Sequence, residues 1–266
     1  MCSEGQKNIK FIYSGRDLYL EKLNVKFNLK WYECKSCGVY FSDQHPNIEK
    51  VYKDSFLYDA AYNDQEILER YNKIMSLPQS SSDNISRVDR CLNYFDQYKN
   101  LLNSRQNQYR VLDIGAGLGV FLARLKGYER FMLNALELNP VAVNHIKHNV
   151  GVNTYESYMQ DLNFEKKFDL ITLNRVLEHI SNPIDMMRSV AKVIKNDGLI
   201  YIELPDVLSY KLDGNNNEAF SSGHYMVYNP DSIQYLFRKS GISLYNLKRV
   251  KEPSGKYTIY AFGGVG

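Results

Sequence analysis

The 266-residue chain has a single tryptophan, four cysteines, seven prolines and no long apolar run. So few cysteines, unevenly spaced, argue against a disulfide framework. No stretch approaches the roughly 18–20 apolar residues that cross a bilayer. Neither sign of charge is in clear excess: 33 basic against 30 acidic residues leave +3, mixed along the chain. That is not the footprint of a nucleic-acid binder, and no nucleic-acid partner is expected. The first residues lack the basic segment and apolar core of a secretion signal, so a cytoplasmic location is expected. The length suffices to bury a substantial core, as one large domain or a domain with an appendage.

The most informative stretch is Tyr109–Leu125, YRVLDIGAGLGVFLARL. Val111, Leu112 and Ile114 read as a buried strand closed by glycines. Phe121, Leu122 and Leu125 then follow helical spacing. A strand, a glycine turn and a helix let a ligand approach the backbone where side chains would block it. The glycines fall at 115, 117 and 119, and Val120 occupies the third glycine position of the dinucleotide fingerprint. Asp113 at the strand end would repel a pyrophosphate but could accept hydrogen bonds from an ammonium or hydroxyl.

The pattern D-x-G-x-G-x-G resembles the first motif of the class I S-adenosylmethionine (SAM)-dependent methyltransferases. Phe131–Leu136 reads as the next strand, ending at Glu137, where doubly wound folds place an acid on ribose hydroxyls. Asn139 and Pro140 suit the N-cap and first position of a helix. Strands are expected at Val152–Tyr155, Phe168–Leu173 and Leu199–Glu203, with helices between them and a C-terminal hairpin over Ser243–Val250 and Lys256–Phe262. The segment Asn174–Pro183, containing Val176-Leu-Glu-His179, resembles the family's "VLEH" segment after its fourth strand. Val176, Leu177 and Ile180 are expected on the buried face, with Glu178 and His179 displaced from it.

The resemblance implies an α/β, doubly wound, seven-stranded Rossmann-like methyltransferase fold over residues 105–266. It implies SAM as cofactor, held by Asp113, Gly115, Ala116, Gly117, Phe121, Glu137, Leu138 and Asn174. Glu137 would meet the ribose, and Asp161 and Leu162 the adenine. Arg87, at the start of a helix, could reach the SAM carboxylate or be a solvated surface arginine. His179 is the preferred base for a hydroxyl acceptor, being near the transferring methyl and titrating near working pH; it could instead only orient its loop. His224 and Tyr225, on a long insertion over 205–228, are second candidates, as a lid or substrate wall.

Ahead of this domain, residues 46–104 read as a helical cap, with apolar stripes at Ile67, Leu68, Tyr71, Ile74, Met75 and at Val88, Cys91, Leu92, Phe95. Tyr58 and Tyr62 line the pocket or simply pack. Residues 1–45 resemble an N-terminal zinc ribbon. Cys34-Lys-Ser-Cys37-Gly38 is one thiolate knuckle, but only Cys2 stands upstream. Zinc on Cys2, Cys34 and Cys37, completed by water, His45 or a partner residue, is one reading; a metal-free relic ribbon is the preferred one. The expected acceptor is a small soluble molecule, O-methylated on a sugar or nucleotide-linked intermediate in surface-glycan or secondary-metabolite synthesis. An RNA or protein methyltransferase and a non-catalytic SAM-binding regulator remain alternatives.

Overall fold

The computed structural model describes residues 8–16, 26–43, 64–213, 220 and 223–266. In chain order, β1 (Ile9–Arg16), β2 (Asn28–Cys34) and β3 (Tyr40–Ser42) form an antiparallel ribbon. Helix α1 (Asp64–Met75) and helix α2 (Asp83–Leu101) follow. Ser82 caps α2 by accepting from the Ile85 N–H. The break between the helices is a short 3₁₀ turn, Gln79–Ser81.

Alternation of strand and helix then begins with β4 (Tyr109–Ile114), α3 (Val120–Leu125) and β5 (Phe131–Glu137). Helix α4 (Pro140–His145) starts as its sequence requires: the Asn139 side chain accepts from the N–H groups of Val141 and Ala142. Its expected last turn is a π-helical segment, Ile146–Val150, closed by Gly151 at φ 71°. Strand β6 (Asn153–Glu156), β7 (Phe168–Asn174), α5 (Pro183–Val193) and β8 (Ile194–Pro205) continue the pattern. β8 begins five residues before the expected Leu199, because Ile194 already pairs with Phe168 across a register shift. Then come α6 (Leu208–Asp213), β9 (Met226–Val227), α7 (Pro230–Ser240), β10 (Ser243–Lys251) and β11 (Tyr257–Gly264).

The main sheet has seven strands in the order β10-β11-β8-β7-β4-β5-β6, parallel except for the C-terminal hairpin. This is the doubly wound, Rossmann-like α/β arrangement expected. Both faces are covered, and consecutive strand residues divide between two cores. Val111, Leu170, Leu199 and Tyr201 pack with Phe95 of α2 and Leu122 of α3. Leu112, Ile171, Ile200 and Ile202 pack with Met187 of α5 and Leu236 of α7. Strands buried on both faces read as continuous apolar runs, which is what their sequences show. Cys91 is fully buried in the first of these cores, as its helical spacing requires.

The ribbon is not an isolated appendage. β9, from the far end of the 205–228 insertion, pairs with β3 through Tyr40↔Val227 and Phe41↔Met226. Trp31 is completely buried and packs against Phe220 of the insertion, ring centroids 4.6 Å apart. Cys34 and Cys37 are buried in the same core as Val39, Met226 and Tyr228. Among the described residues no group of three metal-ligating side chains includes either thiol, and zinc at this knuckle has no support there. Cys2, His45, Tyr58 and Tyr62 lie outside the described residues. Among the described residues, no helix is long and apolar enough to cross a membrane.

Candidate active site

A cavity of about 430 Å³ opens at the carboxyl edge of the parallel strands, at the glycine turn. The size falls within the range of small-ligand pockets. Its floor is the loop from β4 to α3. Gly115 adopts φ +64°, and a Cβ there would lie 2.7 Å from a Val176 methyl, so close packing excludes any side chain. Gly117, at φ +54°, has nothing within 4 Å of where a Cβ would be. That open space is the cavity itself.

Three carboxylate or amide groups ring the floor. Glu137, at the end of β5, is 6% exposed and accepts from the N–H groups of Gly117 (2.7 Å), Leu138 (2.7 Å) and Asn139 (3.0 Å). It ties the glycine turn to the neighbouring strand end while facing the cavity. Asp113 is 2% exposed and accepts from Thr172 Oγ1 (2.6 Å) and Asn174 Nδ2 (2.9 Å). Burial pushes the Asp113 carboxyl up to about 6, against the opposing pull of those two hydrogen bonds. Asn174 lines the cavity, and its Oδ1 is buried with no hydrogen-bond partner among the described residues.

The cap supplies a wall. Ile67 and Ile74 of α1 line the cavity, as does Arg87 of α2. Arg87 is neither solvated nor aimed only at a ligand: it donates to Glu203 Oε1 at 2.5 Å, and Arg90 donates to Oε2 of the same group at 2.5 Å. Glu203 is fully buried near the end of β8. Burial would raise its carboxyl, but Arg87, Arg90 and Arg175 overcome this and hold it well below the usual carboxylate range. Arg175 itself sits at φ 61°, a conformation uncommon for a side-chain-bearing residue, and lines the cavity.

On the opposite side lies the turn after β7. Leu177 is buried as expected, but Glu178 is not displaced into solvent: it is 1% exposed. The 3₁₀ turn Leu177–His179 swings its carboxylate inward, beneath the insertion. The Tyr225 N–H donates to the Glu178 carbonyl at 2.7 Å, and Tyr228 Oη donates to the Leu177 carbonyl at 3.1 Å. On its other side Ser42 Oγ of β3 donates to the His224 carbonyl at 2.9 Å. The ribbon thus holds His224 against His179, with ring centroids 4.7 Å apart, edge to face. His179 lines the cavity, and its Nδ1 lies 2.6 Å from the Gly223 carbonyl. A carbonyl only accepts, so Nδ1 carries the proton and Nε2 the lone pair. Burial, with His224 and Arg175 nearby, pushes the ring down to about 3, so it is neutral near pH 7 and does not titrate near working pH as the sequence suggested.

Of the residues expected at the site, Arg87, Asp113, Gly115, Ala116, Gly117, Phe121, Glu137, Asn174 and His179 do line one cavity. Leu138 and Asp161 are exposed, and Leu162 is half-buried; none of these three lines it. His224 and Tyr225 stand behind His179 rather than on the cavity wall. Ile67, Ile74, Asn139, Ala142 and Arg175 line it without having been expected. Asn139 and Ala142 could have been found from their place in the first turn after Glu137.

Residues 78–247 match a family model described as a methyltransferase domain. A malonyl-[acyl-carrier protein] O-methyltransferase of Ilyobacter polytropus is 25% identical over 154 residues, 53% of this chain and 57% of that protein. A ubiquinone biosynthesis O-methyltransferase of Glaesserella parasuis is 32% identical over 104 residues, 35% and 44% of the two chains. The chain spans about half the length of the curated relatives it matches. Among solved structures, the magnesium protoporphyrin IX methyltransferase of Synechocystis PCC 6803 with bound S-adenosylhomocysteine aligns with TM-score 0.58. It is 13% identical and covers 79% of this chain and 98% of that one. A SAM-dependent methyltransferase of Clostridium acetobutylicum aligns with TM-score 0.53 at 14% identity, covering 76% and 98%. These two likenesses concern the fold.

Proposed function

The chain belongs to the class I SAM-dependent methyltransferases, and from that membership we propose that it transfers the methyl group of SAM to an oxygen of a small acceptor. The observation that carries the reading is the cavity at the glycine turn, with acids at its floor and a neutral histidine at its side. The residues present fit SAM. The space over Gly117 is open, and the buried Asn174 Oδ1 lacks a hydrogen-bond partner among the described residues, as an acceptor for an ammonium should. Asp113 and Asn174 would hold the amino-acid end, Glu137 the ribose, and Phe121 and Ala116 the apolar surface. Arg87 offers a cation for the carboxylate.

SAM, when bound, supplies a methyl group on a sulfonium. The protein's part is to position the acceptor, exclude water and manage its proton. His179, with Nε2 as its free-electron-pair nitrogen, is the residue on the cavity wall placed to accept a hydrogen bond from the acceptor hydroxyl, and a ring held down to about 3 orients that hydroxyl more than it takes its proton; His224 and Tyr225 stand behind it as second candidates. A cavity of about 430 Å³ with Ile67 and Ile74 of α1 on its wall favours a small molecule. The names of the curated relatives favour oxygen as the methylated atom. Within that class we favour a sugar or a nucleotide-linked intermediate, in surface-glycan or secondary-metabolite synthesis in the cytoplasm. Titration calorimetry with SAM, S-adenosylhomocysteine and NADH tests the first step: SAM or its demethylated product binds and NADH does not. Tight NADH binding without a SAM signal overturns the assignment. A screen of nucleotide-sugars with mass detection then tests the acceptor, where a product heavier by one methyl group is expected.

A further inference from the structure

Three ligand-bearing side chains converge beside the cavity, where the turn after β7 meets the end of the insertion. One ligand atom from each of Glu178, His179 and His224 lies within 4.8 Å of the other two. Glu178 is 1% exposed, and its Oε2 has no hydrogen-bond partner among the described residues. A buried carboxylate oxygen with nothing to accept from is costly, and such orphans need an explanation. His179 donates its Nδ1–H to the Gly223 carbonyl at 2.6 Å. That is the outer contact by which metal-binding histidines are oriented, with the other ring nitrogen turned to the ion.

We propose that Glu178, His179 and His224 form a binding site for one divalent first-row transition-metal ion at the edge of the cavity. Two imidazoles and a carboxylate suit zinc, manganese, iron or cobalt better than magnesium or calcium. Three protein ligands leave a position open, the pattern of a catalytic rather than a structural site. Metal–ligand bonds of about 2.1 Å put tetrahedral ligand atoms about 3.4 Å apart, so a pair at the 4.8 Å limit must close by about 1.4 Å. His224 is a half-buried loop residue that follows Gly223, at φ 86°.

The consequence for chemistry rests on the methyl-transfer reading. His179 lines the cavity, so an ion on it stands where the acceptor oxygen must arrive. It would acidify that hydroxyl, whose proton leaves to solvent; no oxidant or reductant is needed.

The test uses the full chain, stripped with a chelator and titrated with Co²⁺. About one equivalent should bind, with visible d–d bands and no thiolate-to-cobalt charge transfer. His224→Ala and Glu178→Gln should each weaken binding at least about 100-fold, the upper end of what losing an outer partner alone costs. Cys34→Ser should change nothing. Absence of binding overturns the proposal, as does binding undiminished in His224→Ala, or a charge-transfer band lost with Cys34→Ser. His224 is a half-buried loop residue, so its variant keeps the test decisive if Glu178→Gln fails to fold. SAM titrated into the same samples separates the two readings: cobalt bound without SAM leaves the metal site standing and removes the methyl-transfer assignment.

Discussion

Arg87 and Glu203, 116 residues apart in sequence, meet at 2.5 Å and tie the cap helix to the end of central strand β8. Glu203 also receives Arg90 at 2.5 Å and the Tyr201 hydroxyl at 2.7 Å, so one buried carboxylate gathers three donors beneath the cavity.

Glu203→Ala should therefore destabilise the protein by about 3–5 kcal/mol, since it leaves buried guanidinium groups without their counter-charge. Urea unfolding measures this. The sign with pH follows from a carboxyl held below its ordinary value. Its stabilising contribution is present above the unfolded value near 4.5 and is lost as pH falls toward the folded one. The parent should lose stability on acidification below about pH 4.5, and the variant should lose less. A loss under 1 kcal/mol for Glu203→Ala would mean that the cluster is dispensable.

Asp113 works in the opposite sense. Its carboxyl is raised to about 6 in the folded state, so its contribution to stability is full below about pH 4 and declines as pH rises through 6. A cationic ligand needs the ionised form. SAM affinity should rise between pH 5 and pH 7, by up to about tenfold per unit below the folded value, and then level off. Asp113→Asn should flatten that profile. A flat profile in the parent would remove Asp113 from contact with the ligand's ammonium.

Glu137→Ala should weaken SAM by about 1.5–3 kcal/mol, the loss of a hydrogen bond to a charged group. Because Glu137 also accepts from the Gly117 N–H, the glycine turn should become more mobile, visible as faster amide exchange at Gly117. Gly117→Val should abolish binding, by filling the open space over the turn, and should cost about 1–3 kcal/mol of stability for a β-branched residue at φ +54°. Unchanged SAM binding in both variants would place the ligand elsewhere.

His179→Ala should lower turnover at saturating SAM by about 10²–10⁴-fold, with SAM affinity intact. His224→Ala should cost less if His179 acts alone, because His224 reaches the cavity only through its neighbour. Equal losses from the two variants would point to a shared ion. No loss from either would mean an acceptor that needs no histidine.

Much of the central architecture was legible because its signals are local. The switch from strand to helical spacing around Gly115–Gly119, the Asn139-Pro140 helix start and the double-faced apolar strands each act within a few residues. What escaped is non-local. Nothing near Met226 or Val227 announces pairing with Phe41 and Tyr40 of β3, far back in the chain. Glu178 looks like a solvated acid beside an apolar turn, and only the insertion folded over it makes it buried. Arg87 looks like a surface helix residue until Glu203 comes beneath it. Asp161 and Leu162 rest on the resemblance alone, and neither lines the cavity.

The pairing of β3 with β9 bears on how such a protein could be re-engineered. A graft that exchanged only the insertion for that of another methyltransferase would strip β3 of β9, leaving it paired with β2 alone, and Trp31 of Phe220. An unpaired strand edge and an uncovered indole invite aggregation. The transplantable cassette is the ribbon together with the insertion, two distant pieces of gene that must move as one if the new wall is to stand.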